Sequence, residues 1–237
     1  MERLTRRQTI LDLKERLSRF ERETQASRGT TMPTDTALDA LLPDGGITWG
    51  TLIECFGDDG DGADIFALRI GARMLRTGGA FVVVDARSEF YPPTAAGLGI
   101  SLEHTVLVRP ANSRAVLWAL EQALRSRAAS VVLAKLGAIH DRAYRRLKLA
   151  AESGDCLGLF LRSVEYQAEP SWADVRLVIH PALSPPSALG RRLQIEVLQI
   201  RGGPSRSTIE VELTDETNDV RLVPRLARAT TPRLRVG

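Results

Sequence analysis

The chain has 237 residues, of which 43% are hydrophobic and 26% charged, values typical of a soluble globular domain with small appendages. This composition excludes a disordered or collagen-like chain. The longest uncharged apolar stretch, 78–84, is far shorter than the roughly 20 residues that a membrane-spanning helix requires. The N-terminus lacks the apolar core of a signal peptide, and the two cysteines show neither metal spacing nor a disulfide framework. We therefore expect a cytoplasmic protein without a membrane partner.

Basic and acidic residues nearly balance, with 32 Lys and Arg against 29 Asp and Glu, and almost all the basic residues are arginines. This bias reflects either arginine-rich codon usage or recognition of phosphates and carboxylates, which the planar guanidinium serves well. Residues 220–237 contain no acid. We interpret them as a basic arm without a fixed fold after Val223, able to contact a partner or DNA. Its arginines are Arg221, Arg225, Arg228, Arg233 and Arg235.

The first segment of the chain, 1–27, is predicted to be a separable N-terminal helix. Leucines and Phe20 recur at helical spacing over 2–26, with Arg and Glu on the other face. A linker pattern follows from Ser27. The helix can pack on a partner, on a second copy of the chain or on its own core, and we expect a homo-oligomer if it packs on a second copy.

Residues 28–203 are predicted to form an α/β core, because short apolar runs alternate with helical patterns. This alternation is typical of a mostly parallel sheet with helices on both faces. After Trp172 the apolar pattern changes to period two, which predicts antiparallel strands closing the domain. We assign 204–237 to a C-terminal strand and the basic tail. The predicted strands are 51–56, 80–85, 130–134 and 157–161, and the predicted helices are 64–75, 113–126 and 143–153.

A glycine-rich loop lies between the first of these strands and its helix. Gly57 and Gly62 have the spacing of a phosphate-binding loop, in which Lys and Ser or Thr should follow the second glycine. Ala63 and Asp64 stand there instead. A nucleotide hydrolase also needs an acid near Ala134 to position Mg²⁺, and the chain has none there. The sequence therefore predicts a degenerate nucleotide loop.

The same loop is strongly acidic, with carboxylates at Asp58, Asp59, Asp61 and Asp64. Each would oppose a bound phosphate by about 1 kcal/mol at ~4 Å in a water-like dielectric, which outweighs the ~0.3–1 kcal/mol offered by an exposed helix dipole. A calcium-loop interpretation fails at the next ligand position, which is Ala63. We therefore predict that the loop is structural.

The segment 38–57, LDALLPDGGITWGTLIECFG, resembles the entry to a RecA core, where it leads into the phosphate loop. Residues 79–86 and 98–110 are similar to the second RecA strand and the segment after it, and the likeness covers roughly 35–200. Within this superfamily the chain resembles the ImuA family most, above all in the run 118–125, WALEQALR. The other ImuA-like segments are 108–110, 145–152 and 197–203.

The resemblance also implies what is missing. The glutamate with which RecA-type enzymes activate water corresponds to Arg87. Residues 136–141 leave almost no room for the first DNA-binding loop of RecA, and the second is reduced to about 163–173. An active recombinase is not expected.

Two groups of side chains are candidate contacts to a partner or DNA. Arg142, Arg145, Arg146 and Lys148 place four positive charges at the start of one helix, which is either a solvated face or a binding face for an acidic partner or nucleic acid. Trp172, in the shortened second loop, is either a packed side chain or an exposed anchor. Trp118, in contrast, is predicted to lie in the core.

ImuA-family proteins work with ImuB, a catalytically defective relative of Y-family polymerases, and with an error-prone DnaE-type polymerase, in damage-induced (SOS) mutagenesis. The resemblance therefore implies a non-catalytic RecA-fold adaptor for translesion synthesis, with no cofactor or metal. RecA is a further expected partner, and DNA binding is expected to be weak and non-specific. Two alternatives stay open, a SulA-like cell-division inhibitor that binds FtsZ and, less favoured, an active RecA-type ATPase.

Overall fold

The computed structural model describes residues 31–183, 190–204, 206–214 and 220–222, together with positions 8, 13, 15 and 16 of the N-terminal segment. Those four positions are helical. The rest of the predicted N-terminal helix lies outside the described residues, as does the basic arm beyond residue 222.

Nine strands of the described residues form one sheet. They are β3 Leu52–Phe56, β4 Ala80–Val84, β5 Thr105–Val108, β6 Ala129–Lys135, β7 Leu157–Arg162, β8 Val175–Ala182, β9 Gly190–Ile200, β10 Ser207–Thr214 and β11 Val220–Leu222. Their order in the sheet is β11-β10-β9-β8-β3-β7-β6-β4-β5. From β8 to β5 all neighbours are parallel, and from β8 to β11 all are antiparallel. A separate antiparallel pair joins β1 Thr31–Met32 to β2 Ile47–Thr48.

Among the residues that the structure describes, four α-helices connect the parallel strands, and both faces of the sheet are covered. They are α1 Ala63–Met74, α2 Pro92–Gly97, α3 Ser113–Arg125 and α4 Asp141–Gly154. Helix α1 packs in one apolar cluster with β3 and β7, while α3 and α4 pack in a second cluster on the opposite face. Short 3-10 turns cover Ala37–Ala40, Pro43–Gly45, Leu75–Thr77, Leu102–His104 and Val164–Tyr166. The predicted mostly parallel sheet with antiparallel C-terminal strands is confirmed.

Helix α3 shows how local sequence sets an element. Asn112 stands before its first turn, and its side-chain oxygen accepts a hydrogen bond from the Ala115 backbone N–H at 2.9 Å, which satisfies one of the free donors of a helix start. Leu120 and Leu124 lie one turn apart and are fully buried against the sheet. No helix among the described residues is long and apolar enough to cross a membrane.

Trp118 is not a core residue, and the prediction was wrong. Its side chain is 65% exposed. Because an α-helix has 3.6 residues per turn, Trp118 lies almost opposite Leu120 and Leu124, which set the buried face of α3. The residues next to Trp118 in sequence are also apolar, so the sequence pattern did not show that Trp118 lies on the exposed side of α3.

Both cysteines are buried. Burial, and to a smaller extent the neighbouring Glu54 charge, raise the pKa of the Cys55 thiol from 9.0 to about 12. Because the folded state holds this proton more tightly than the unfolded state, the thiol contributes stability below about pH 9 that is lost as pH rises towards 12.

We therefore expect neither cysteine of the folded protein to react with Ellman's reagent at about pH 8, because only an exposed thiolate is a good nucleophile. Both should react once guanidinium unfolds the chain. The measurement is the absorbance of the released thiolate in native and denaturing buffer. Rapid release of one equivalent from the native protein would contradict the burial of the thiols.

Candidate functional site

The degenerate nucleotide loop lies between β3 and α1, as predicted. Gly62 has φ 92° at the start of α1, and a Cβ there would lie 2.9 Å from Leu193. A Cβ on Gly57 would lie 2.8 Å from the Cβ of Ala63. Gly57 is thus required by the close packing of the loop and Gly62 by its positive φ, whatever the loop binds.

A cavity of about 480 Å³ opens beside this loop, at the carboxyl edge of the sheet. Its size suits a small ligand, and it lies where ligands bind in open parallel sheets. Its walls carry acidic groups from two chain segments, 58–64 and 85–89, and one lysine from the end of β6. The charged lining residues are Asp58, Asp59, Asp64, Asp85, Glu89 and Lys135.

Lys135 bridges the cavity. Its ammonium group lies 2.9 Å from a carboxylate oxygen of Asp59, in the loop, and 2.9 Å from one of Glu89. Hydrogen bonds to Glu89 and Asp59 raise the pKa of Lys135, and the bond from Lys135 lowers the pKa of Asp59. Lys135 thus lies next to the position where a nucleotide hydrolase would have its metal-positioning acid. Two carboxylates hold its ammonium group, and one of them belongs to the glycine-rich loop.

The structure also places the four other positions that were predicted for the degenerate nucleotide site. Ala63 and Asp64 open α1, and the Asp64 carboxylate accepts the Ile65 backbone N–H at 2.8 Å. Ala134 is buried at the end of β6, one residue before Lys135. Arg87 is exposed and lies 3.9 Å from Glu89.

Sequence reasoning missed two acids near Arg87. Asp85 is buried at the end of β4, and its carboxylate accepts the backbone N–H groups of Glu89 at 3.0 Å and Phe90 at 3.2 Å. These bonds fix the turn that places Glu89 beside Lys135. The sequence did contain a signal for Asp85, because an acidic residue that directly follows a buried strand lies at the edge of the sheet where ligands bind.

A second charged cluster, also missed, is buried inside the sheet. The Glu54 carboxylate in β3 accepts hydrogen bonds from Arg162 of β7 at 2.6 Å, Arg176 of β8 at 2.7 Å and the Ser171 hydroxyl at 2.8 Å. Glu54 and Arg162 have no exposed side-chain surface. Charged residues within strands that are otherwise apolar were the signal for this cluster.

The Glu54 cluster holds both shortened loops. Arg162 donates to the Gly137 carbonyl at 3.0 Å, between β6 and α4, and to Glu169 at 2.5 Å in the second loop. Burial alone would disfavour its charge, but hydrogen bonds to Glu54 and Glu169 leave the pKa of Arg162 raised. The guanidinium also lies over the Tyr166 ring, 5.1 Å from its centre. The two segments predicted to correspond to the DNA-binding loops of RecA, 136–141 and 163–173, are thus tied to the sheet.

The candidate contact residues on α4 separate into different roles. Arg142, Arg145 and Arg146 are exposed, whereas Lys148 is 7% exposed. Lys148 is therefore not a binding residue, which corrects the prediction. It lies on the side of α4 that faces the sheet, where its ammonium group contacts Asp174 at 2.6 Å and the Gly50 carbonyl at 3.0 Å.

Trp172 is half-buried and makes a specific contact with α4. Its indole N–H donates to Asp141 at 2.7 Å, and the Arg145 guanidinium lies 5.3 Å from the ring centre. The predicted contact residues Arg145 and Trp172 are thus brought together. Arg221 lies in β11, and Arg225, Arg228, Arg233 and Arg235 lie outside the described residues.

The RecA N-terminal domain family model matches residues 12–145, more than half of the chain, so the chain belongs to that family. The crystal structure of the RadB recombinase superposes with a TM-score of 0.62 at 18% sequence identity, covering 81% of this chain and 99% of that one. This likeness is one of fold.

Curated relatives agree over part of the chain. Protein RecA of Rhodopirellula baltica is 32% identical over 97 residues, 41% of this chain and 26% of that protein. Protein RecA of Streptomyces coelicolor is 31% identical over 121 residues, 51% of this chain and 31% of that protein. The mitochondrial DNA repair protein recA homolog of Dictyostelium discoideum is 32% identical over 96 residues, 40% and 21% respectively. The chain therefore aligns with less than a third of each relative's length.

Proposed function

We propose that this RecA-family chain is a nucleotide-independent accessory protein of the ImuA type. Its role would be to hold a Y-family-like, ImuB-type protein and a DnaE-type polymerase together during error-prone synthesis across DNA lesions. The observation that carries the proposal is the bridge from Lys135 to Asp59 and Glu89, because this ion-paired lysine spans the cavity where a RecA-type enzyme would hold its nucleotide.

The electrostatics of the cavity support this proposal. A triphosphate needs cations that it can reach, but the Lys135 charge is already paired twice. Ala63 offers no side-chain cation, and Asp64 at the first turn of α1 would repel a phosphate. Asp85 is buried, and its lone pairs accept backbone N–H groups. A nucleotide would therefore have to break internal ion pairs without gaining a lysine of its own.

The ImuA assignment is supported by the resemblance and by where it falls on the surface. The run 118–125 includes the exposed Trp118, and two exposed arginines of α4, Arg145 and Arg146, lie in the ImuA-like segment 145–152. An exposed tryptophan within the segment that most resembles the ImuA family is consistent with a protein that binds partners. RecA is a further candidate partner of the same assembly.

We expect calorimetric titration with Mg-ATP to give no binding heat up to about 1 mM nucleotide. The substitution pair Ala63→Lys and Asp64→Thr should not produce ATP turnover, because Arg87 still occupies the position of the water-activating glutamate and Lys135 still bridges the cavity. An active RecA, measured in parallel, provides the positive control for heat and phosphate release. Micromolar binding by the unmodified chain would overturn the proposal.

The adaptor role is tested with purified components. The chain should co-elute with the Y-family-like protein and join it to the DnaE-type polymerase, while leaving FtsZ polymerisation unchanged. Inhibition of FtsZ assembly without binding to either polymerase-related protein would favour a SulA-like inhibitor instead.

A further inference from the structure

Helices α3 and α4 lie side by side on one face of the sheet. Each follows a parallel strand and leads to another, so the two run in the same direction. Glu121 of α3 joins them, because its carboxylate pairs with Arg146 of α4 as well as with Arg125 at 2.9 Å on its own helix. These ion pairs mark the line along which the helices meet.

Helical spacing places further side chains along this line. On α3, Trp118 lies three residues before Glu121, and Arg114 lies four residues before Trp118, on the same side of the helix. On α4, Arg142 and Leu149 lie four residues before and three residues after Arg146. Apart from Glu121, all of these side chains are exposed. The α3–α4 face consists of Arg114, Trp118, Arg125, Arg142, Arg146 and Leu149.

This face combines positive charge with large apolar groups. Trp118 is 65% exposed and Leu149 53%. Arg114 and Arg142 form no ion pair with another described residue, and both lie near the starts of their helices. Glu121, the acid on this line, is almost buried and already neutralised by two arginines. The face therefore presents guanidinium groups that are free to pair with carboxylates.

We propose that the α3–α4 face docks an acidic segment of a partner protein that also carries large apolar side chains. The inference rests on the proposed adaptor function, since it assigns one binding surface of that adaptor. Carboxylates of the segment pair with Arg114 and Arg142, while its apolar side chains cover Trp118 and Leu149. Tryptophan and arginine are the side chains that most often dominate such contacts.

A protein segment fits this face better than DNA does. A phosphate backbone would gain from the arginines, and a base could stack on Trp118, but Leu149 would gain little from such a ligand. A peptide with both acidic and apolar side chains complements the arginines of the face as well as the apolar surface of Trp118 and Leu149.

The test uses a phage-displayed library of random 16-residue peptides, selected on the full chain. We expect the enriched peptides to combine Asp or Glu with Leu, Phe or Trp and to shift the fluorescence of Trp118 when they bind. Their affinity should fall at least tenfold in a Trp118→Ala/Arg142→Ala variant. An Arg142→Glu variant should repel them more strongly than Arg142→Ala, which a merely structural role would not produce.

A matched control removes one exposed apolar residue and one exposed arginine elsewhere, in an Arg76→Ala/Leu102→Ala variant. It should bind the selected peptides like the unmodified chain, and all variants should keep the parental melting temperature. Peptides that bind every variant equally, or a selection that yields no peptide dependent on the face, would overturn the inference. The inference would also be overturned if a 20-base-pair DNA duplex bound to the α3–α4 face and displaced the peptides. It would likewise be overturned if substitutions in the face only converted a homodimer of the chain to monomers.

The two proposals can fail separately. If the chain binds the Y-family-like protein and the face variant binds it equally well, the docking surface is wrong while the adaptor function stands. If the chain binds selected acidic peptides through the face but neither polymerase-related protein, the adaptor function is wrong while the surface stands.

Discussion

Replacing Glu54 with glutamine is expected to lower the free energy of unfolding by about 3–5 kcal/mol, the range observed when one partner of a buried ion pair is removed. Glutamine keeps the size of the side chain but loses its charge. Arg162 and Arg176 would then lie in the sheet without the carboxylate that both contact. Because burial of an unpaired charge costs several kcal/mol, a loss of this size is a large fraction of the stability of a domain.

Urea denaturation followed by circular dichroism measures this loss. The control is Glu212→Gln in β10, since Glu212 lies 3.8 Å from Arg192 and is partly exposed. That pair should contribute less than about 1 kcal/mol. The Glu54 variant should also be cleaved faster by protease within 163–173, because the cluster holds that segment. A loss no larger than that of the control would show that the Glu54 cluster does not stabilise the sheet.

The two places where a RecA-type enzyme would meet its ligands carry internal ion pairs in this chain. At the nucleotide edge, Lys135 joins the loop to Glu89. At the segments predicted to correspond to the RecA DNA loops, Arg162 joins Glu54 to Glu169. Charges that pair within the chain are not available to phosphates. The exposed arginines of α3 and α4 lie elsewhere, on the outer face of the helices.

The parts of this structure that follow from short-range sequence patterns were predictable. Apolar runs of period two and 3.6 mark strands and helices, and five consecutive apolar residues in β4 already indicate a strand buried on both sides. The positions of Ala63 and Asp64 could likewise be read from the spacing of Gly57 and Gly62.

The ion pairs could not be predicted, because their partners are distant in sequence. Glu54 meets Arg162 across 108 positions and Arg176 across 122, and Lys135 meets Asp59 across 76. Only the order of strands in the sheet brings them together. The wrong prediction for Lys148 has the same cause. Its basic neighbours in sequence suggested an exposed face, whereas its ion-pair partner Asp174 lies 26 positions away and is brought close only by the fold.

Truncation after Pro224 is expected to abolish the complex with the Y-family-like protein. The segment removed carries Arg225, Arg228, Arg233 and Arg235 and no acidic residue. Such an arm can bind an acidic protein surface or DNA phosphates. We favour the protein, because the segments predicted to correspond to the RecA DNA loops are short and tied to the sheet.

Analytical size exclusion and calorimetry with the purified partner measure this loss. The melting temperature should change by less than about 2 °C, since a loss of 1 kcal/mol moves it by ~2–4 °C in a domain of this size. A full-length variant with glutamine at the four arginines separates charge from length and should lose the complex as well. Binding by the arm should saturate at a fixed stoichiometry with the Y-family-like protein, whereas contact with duplex DNA would give a log–log salt slope of about −0.9 per phosphate. If the truncated protein still assembles but no longer retains DNA, the arm binds nucleic acid and the partner must be held by other surfaces, with the α3–α4 face the first to examine.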